Sequence, residues 1–185
     1  MSTVALLDAN VIWSAAIRDT LLIAAERGLF RPAWTLLILD EMSRNLKVRR
    51  PDIAERVDRA VRQMVEFFPD ALVEGYEALV PEMTNQVGDR HVLAAAVKAE
   101  ASIIVTWNKL HFPLVACAPY GIRPMTPDEF LCQLWLQAPQ DMALVLLEQS
   151  THLINPPRTM SQLLDTLRRS IPAFAEMAAN SGLLN

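Results

Sequence analysis

Residues 4–10 read Val-Ala-Leu-Leu-Asp-Ala-Asn, a short apolar run that ends in the carboxylate of Asp8, with Asn10 just beyond. A helical pattern follows over 11–27 and closes at Gly28, a common C-terminal stop. A buried strand that hands over at once to a helix is the repeating unit of an open α/β sheet. In such sheets, ligands lie in the crevice beyond the carboxyl ends of the strands. Asp8 stands at that position.

The rest of the first two thirds continues the alternation. Strands are expected at 3–7, 30–34, 71–74, 102–106 and 122–125, with Ser-Ile-Ile-Val-Thr at 102–106 the clearest. Helices are expected at 36–48, ending before Pro51, at 52–68 and at 89–100. The 52–68 segment is amphipathic, with Ile53, Val57, Val61, Met64 and Phe68 on one face. Its outer face sets Asp52, Glu55 and Asp58 each four residues before an arginine, the spacing of a salt-bridged solvent face. Strands alternating with helices predict an α/β fold, a three-layer α/β/α arrangement around a mostly parallel central sheet.

From Thr126 the character changes. Thr126-Pro127-Asp128-Glu129 forms a capping box with proline at the first helical position. Helices are expected at 127–137, 139–154, 160–170 and 172–180, with no strand among them. The chain therefore divides into 1–125, which carries the candidate chemistry, and an all-helical extension, 126–185. Met142, Leu146 and Gln149 share one face in that extension, suited either to a second protein surface or to the chain's own sheet.

The totals narrow the function. A net charge of −4 argues against a large non-specific nucleic-acid binder but leaves room for a local basic rim. Arg44, Lys47, Arg49 and Arg50 are the candidates for that rim. Cys117 and Cys132 form no metal or disulfide pattern and read as thiols in a reducing compartment. No basic leader or long uncharged span is visible, so a cytoplasmic protein without a membrane segment is expected.

Four polar residues carry the candidate chemistry: Asp8, Glu41, Asp89 and Asn108. Each has a bland reading. Asp8 and Asp89 can cap helices, Glu41 can be a surface residue, and Asn108 can be a turn. As a set they converge on one sheet edge, where clustered acids repel one another unless a cation sits among them. Oxygen donors gathered from distant parts of a chain suit a hard ion such as Mg²⁺ or Mn²⁺.

The order LLDANVIWSA, then LILDEMSRNL, then GDRHVLAAAVKAEASIIVTWNKLHFP resembles the PIN-domain ribonucleases. The run PYGIRPMTPDEFL at 119–131 is similar to the close of one bacterial, VapC-like subfamily of toxins from type II toxin–antitoxin systems. The resemblance implies a metal-dependent endoribonuclease with a cognate antitoxin, an RNA substrate and a homodimeric state. Asp8, Glu41 and Asp89 match the family's metal-holding acids, Asn108 a catalytic Asp/Asn position, and Asn10 a polar residue supporting the first acid. Two positions depart from the pattern. Gly88 stands where an acid precedes Asp89, and His111 replaces the last acid, leaving a second metal position open. His111 could bind a metal, contact phosphate or fill its loop. His91 and His152 read as bystanders, and Trp107 could flank a base beside Asn108.

Two other readings stay open. One is a PIN-like module that binds RNA or a partner without cutting. The other is a haloacid dehalogenase-type phosphatase, whose Asp-x-Asp motif here reads Asp8-Ala9-Asn10 and lacks the proton-donating second acid.

Overall fold

The computed structural model describes residues 3–152 and 159–184. Its centre is a sheet of four parallel strands, β1 (Val4–Leu7), β2 (Arg31–Ala33), β3 (Ile103–Val105) and β4 (Arg123–Met125), in the order β2-β1-β3-β4. The helices are α1 (Ala9–Ile12), α2 (Ala15–Glu26), α3 (Leu36–Arg49), α4 (Ala54–Phe67), α5 (Arg90–Lys98) and α6 (Leu114–Cys117). The extension adds α7 (Pro127–Gln137), α8 (Pro139–His152), α9 (Met160–Arg168) and α10 (Pro172–Ala179). Parallel strands need crossovers, and these helices supply them while covering the sheet. Leu6, Leu7, Ile104 and Val105 are fully enclosed as a result.

The strand order places a switch point. From β1 the chain moves outward to β2, then returns across β1 to place β3 on its other side. Crossovers leaving in opposite directions open a crevice between the carboxyl ends of β1 and β3. Asp8 and Thr106 are the residues that follow those two strands.

Several sequence expectations shift locally. The 11–27 helix is broken at Trp13–Ser14 into α1 and α2. Gly28, at φ +75°, closes α2 in the left-handed region that glycine adopts without strain. The strand expected at 71–74 is reduced to one parallel bridge, Trp34 to Leu72, because a 3-10 turn at Pro69–Ala71 uses up its approach. The acid–base pairs expected along 52–68 give way to pairs with α3 and its end. Asp58 binds Lys47 (2.5 Å) and Asp52 binds Arg50 (2.7 Å).

The extension packs on its own chain. Met142, Leu146 and Gln149 are buried, with Gln149 Nε2 donating to the Ala16 carbonyl (2.8 Å) and Gln149 Oε1 2.7 Å from the Thr20 hydroxyl. The Phe30 and Phe130 rings meet edge to face at 5.0 Å, and Asp128 accepts from the Ala173 and Phe174 amides that open α10. One hydrophobic cluster runs through sheet and extension alike. Pro156-Pro157, expected to separate two helices, and the side chain of His152 lie outside the described residues. Among the described residues, no helix is long and apolar enough to cross a membrane.

Candidate active site

Asp8 extends the sheet by one step before its side chain leaves it. Its amide donates to the Val105 carbonyl at 3.1 Å, which fixes the backbone against β3. The residue occupies the N-cap position of α1, yet its side chain makes no capping bond. The carboxylate turns instead to the switch point and is only 4% exposed. Its Oδ2 accepts from Thr106 Oγ1 at 2.7 Å and from Asn10 Nδ2 at 2.6 Å.

Thr106 ties the site together. Its hydroxyl donates to Asp8 while its oxygen accepts from the Asn108 amide (3.0 Å) and from Asn10 Nδ2 (3.2 Å). Asn10 Oδ1 in turn accepts from the Trp107 amide at 3.1 Å. Residues almost a hundred positions apart are thereby locked into one buried network, and every member is satisfied. In the sequence, Thr106 reads only as a strand end. Its position opposite Asp8 follows from strand order, which a single sequence does not print.

The other acids stand close but outward. Asp89 occupies the N-cap position of α5 without capping it, and its Oδ2 lies 3.0 Å from His111 Nδ1. Glu41, on α3, places Oε2 3.5 Å from His91 Nε2, an approach whose geometry is not that of a hydrogen bond. His91, expected to be a bystander, stands beside Glu41. Asn108 is exposed at the lip, heading the 3-10 turn Lys109–His111 without a side-chain cap.

The electrostatics are one-sided. Burial pushes the Asp8 carboxyl above the usual carboxylate range, and the fields of Asp89 and Glu41 push it the same way. The Thr106 hydroxyl and the Ala9 amide pull against that rise. Among the described residues, neither lysine nor arginine forms an ion pair with Asp8, Glu41 or Asp89. Three mutually repelling carboxylates around a crevice, two of them facing imidazoles, are donors that suit a hard divalent cation. As they stand, no three acidic, histidine or cysteine side chains among the described residues are gathered tightly enough to hold one ion. The donor chemistry fits, while Asp89 and Glu41 are each turned to a histidine.

A cleft of about 400 Å³ opens beside this network, walled by Asn10, Trp13, Asn45, Arg49 and Trp107. The Arg49 guanidinium lies over the Trp13 ring, 4.8 Å from its centre. The anticipated basic rim is largely neutralised: Arg44 pairs with Asp40, Lys47 with Asp58 and Arg50 with Asp52.

Comparison with known proteins gives the following. A family model described as PIN domain matches residues 4–110, more than half of the chain and inclusive of every candidate site residue. A second, described as VapC50 C-terminal domain, matches residues 127–180. A protein of Mycobacterium tuberculosis (strain ATCC 25618 / H37Rv) named "Putative ribonuclease VapC50" is 44% identical over 109 residues, covering 58% of this chain and 64% of that protein. No solved structure matches the chain.

Proposed function

Because the chain belongs to the PIN-domain family, we propose that it is a metal-dependent endoribonuclease and the toxin of a toxin–antitoxin module. The observation that carries this reading is the buried Asp8 at the switch point, held by Thr106 and Asn10 and facing the fields of two further acids. The 1–125 segment is the nuclease unit and 126–185 a helical extension that supports it. The protein works in the cytoplasm on RNA, with a cognate antitoxin protein and a second copy of itself as partners.

In this mechanism Asp8, Glu41 and Asp89 hold Mg²⁺ or Mn²⁺. When bound, the cation supplies positive charge against a phosphodiester and favours ionisation of water. The chain's own residues do the positioning. Thr106 and Asn10 fix the orientation of Asp8 Oδ2, so one carboxylate oxygen is preset before substrate arrives. Burial keeps bulk water away from that carboxylate and strengthens its interactions. Asn108 presents an amide at the open lip, where it orients substrate or the attacking water. Direct attack of water on phosphorus leaves 5′-phosphate and 3′-hydroxyl ends, with no role for the ribose 2′-hydroxyl as nucleophile.

One observation favours a second reading, a PIN-like module that binds without cutting. The His111 ring occupies Asp89 in place of the acid expected there, and Gly88 supplies no carboxylate. Titrating Mg²⁺ and Mn²⁺ in an RNA-cleavage assay tests the nuclease reading. Cation-dependent cleavage is expected; RNA binding without cleavage at any cation concentration supports the second reading instead. The phosphatase reading lacks its general acid, because residue 10 is an asparagine whose amide has no proton to give a leaving group, and that amide donates to Asp8 and Thr106 instead.

A further inference from the structure

The cleft beside Asp8 combines features that the acidic network does not use. Asn45 and Arg49 stand one turn apart on α3 and line it from one side. Trp13, at the end of α1, and Trp107, two residues past β3, line it as well, and both rings are part-exposed. Of the four cations clustered at the end of α3, Arg44, Lys47 and Arg50 are spent in ion pairs. Arg49 forms no ion pair among the described residues and rests only on the Trp13 ring. The Asn45 amide makes no hydrogen bond among the described residues.

The cleft is also in register with the candidate catalytic carboxylate. Asn10 lines it, and the same side chain donates to Asp8 and accepts from the Trp107 amide. Trp107 is thus two hydrogen bonds from Asp8. A neighbouring cleft shares Trp13, Arg49 and Trp107 with it.

We propose that this cleft takes an unpaired nucleobase of the nucleotide next to the reacting phosphodiester, stacked on an indole, with Arg49 on its phosphate. The inference rests on the endoribonuclease reading and adds to it a base-stacking subsite built from this chain's own Trp107, Asn45 and Arg49. Every base has a π face, so an indole platform accepts unpaired bases broadly, and a duplex with stacked bases has none to offer. A guanidinium suits a phosphate oxygen pair, and its charge is local in a chain whose net charge is −4. Asn45 provides a donor and an acceptor for the edge of the base.

The test measures binding in EDTA, so that cleavage plays no part. The full chain is titrated against a short, fluorescein-labelled, single-stranded RNA of mixed sequence, and anisotropy is read. W107A and R49A are each expected to weaken binding by about tenfold, while W107F, which keeps a π face, stays near wild type and W107L does not. R49A alters an exposed side chain and serves as the control should W107A fail to fold. Moving a single abasic site along the RNA is expected to find one position that weakens the wild type and has no further effect in W107A. Binding by the wild type with W107A and R49A within about twofold of it overturns the inference and leaves the nuclease reading standing. So does equal binding by W107L and W107F. A wild type that binds no RNA in EDTA also overturns the inference, and the nuclease reading then stands or falls on cation-dependent cleavage alone.

Discussion

Thr106 Oγ1 lies 2.7 Å from Asp8 Oδ2, joining the carboxyl ends of two adjacent parallel strands across the crevice that the strand order opens. The hydroxyl has no exposed surface, and the carboxylate almost none. Replacing Thr106 by Val keeps the shape and removes the donor to Asp8 and the acceptor for the Asn108 amide. Cleavage is expected to fall by roughly 10–100-fold, the usual cost of losing a group that orients a metal ligand. Thr106→Ser should recover most of it. Steady-state kinetics with circular dichroism as the fold control decides, and an unchanged rate in T106V contradicts the positioning role.

The environment of Asp8 gives a pH dependence whose sign is fixed. Burial raises the folded-state pKa above the ordinary aspartate value of 3.8, so the folded chain holds this proton more tightly than the unfolded chain does. That stabilising contribution is present below 3.8 and is lost as pH rises through the folded value. Asn carries no charge to bury, so Asp8→Asn is expected to raise Tm near neutral pH without added cation. The advantage shrinks as the buffer is taken into the acid range. A Tm difference that does not vary with pH contradicts this account of Asp8.

His111 offers the opposite experiment. Its Nδ1 sits 3.0 Å from Asp89 Oδ2, and His111→Asp puts a like charge there. The variant is expected to melt lower without cation and to bind Mn²⁺ more tightly by titration calorimetry, because the added acid repels Asp89 until an ion sits between them. Unchanged Mn²⁺ affinity places residue 111 outside the coordination sphere.

Gln149 tests the extension. It is buried between α8 and α2, bonded to the Ala16 carbonyl and the Thr20 hydroxyl. Gln149→Leu leaves both without that partner and is expected to cost about 1–3 kcal/mol in chemical denaturation. Deleting residues 138–185 removes the α8 face that covers α2 and should yield insoluble or partly unfolded protein, read by light scattering and circular dichroism. A soluble, fully active truncation contradicts a supporting role.

Much of this architecture was legible because it rests on local pattern. Short apolar runs that stop at a polar residue marked β1 and β3, and the Thr126 capping box marked α7 to the residue. The 71–74 strand failed because apolar content alone does not reveal that Pro69 starts a 3-10 turn. At the site, the strand-end position of Asp8 was readable from the run before it. Its partner Thr106 was not, because pairing across the sheet depends on strand order. The same limit hid the contact between His91 and Glu41, which lie on different helices. Neutralisation of the basic rim is hidden for a related reason: Lys47 finds Asp58 on α4, a pairing between elements.

The central claim is that Asp8 belongs to a cation-dependent centre that cuts RNA by direct attack of water. The measurement is the end chemistry of a labelled single-stranded RNA incubated with wild type and with Asp8→Asn, in Mg²⁺, in Mn²⁺ and in EDTA. The account predicts 5′-phosphate and 3′-hydroxyl ends from wild type with either cation, no cleavage in EDTA, and a loss of about a hundredfold or more in the folded variant. Wild-type rates in Asp8→Asn, or 2′,3′-cyclic phosphate ends formed in EDTA, would contradict it.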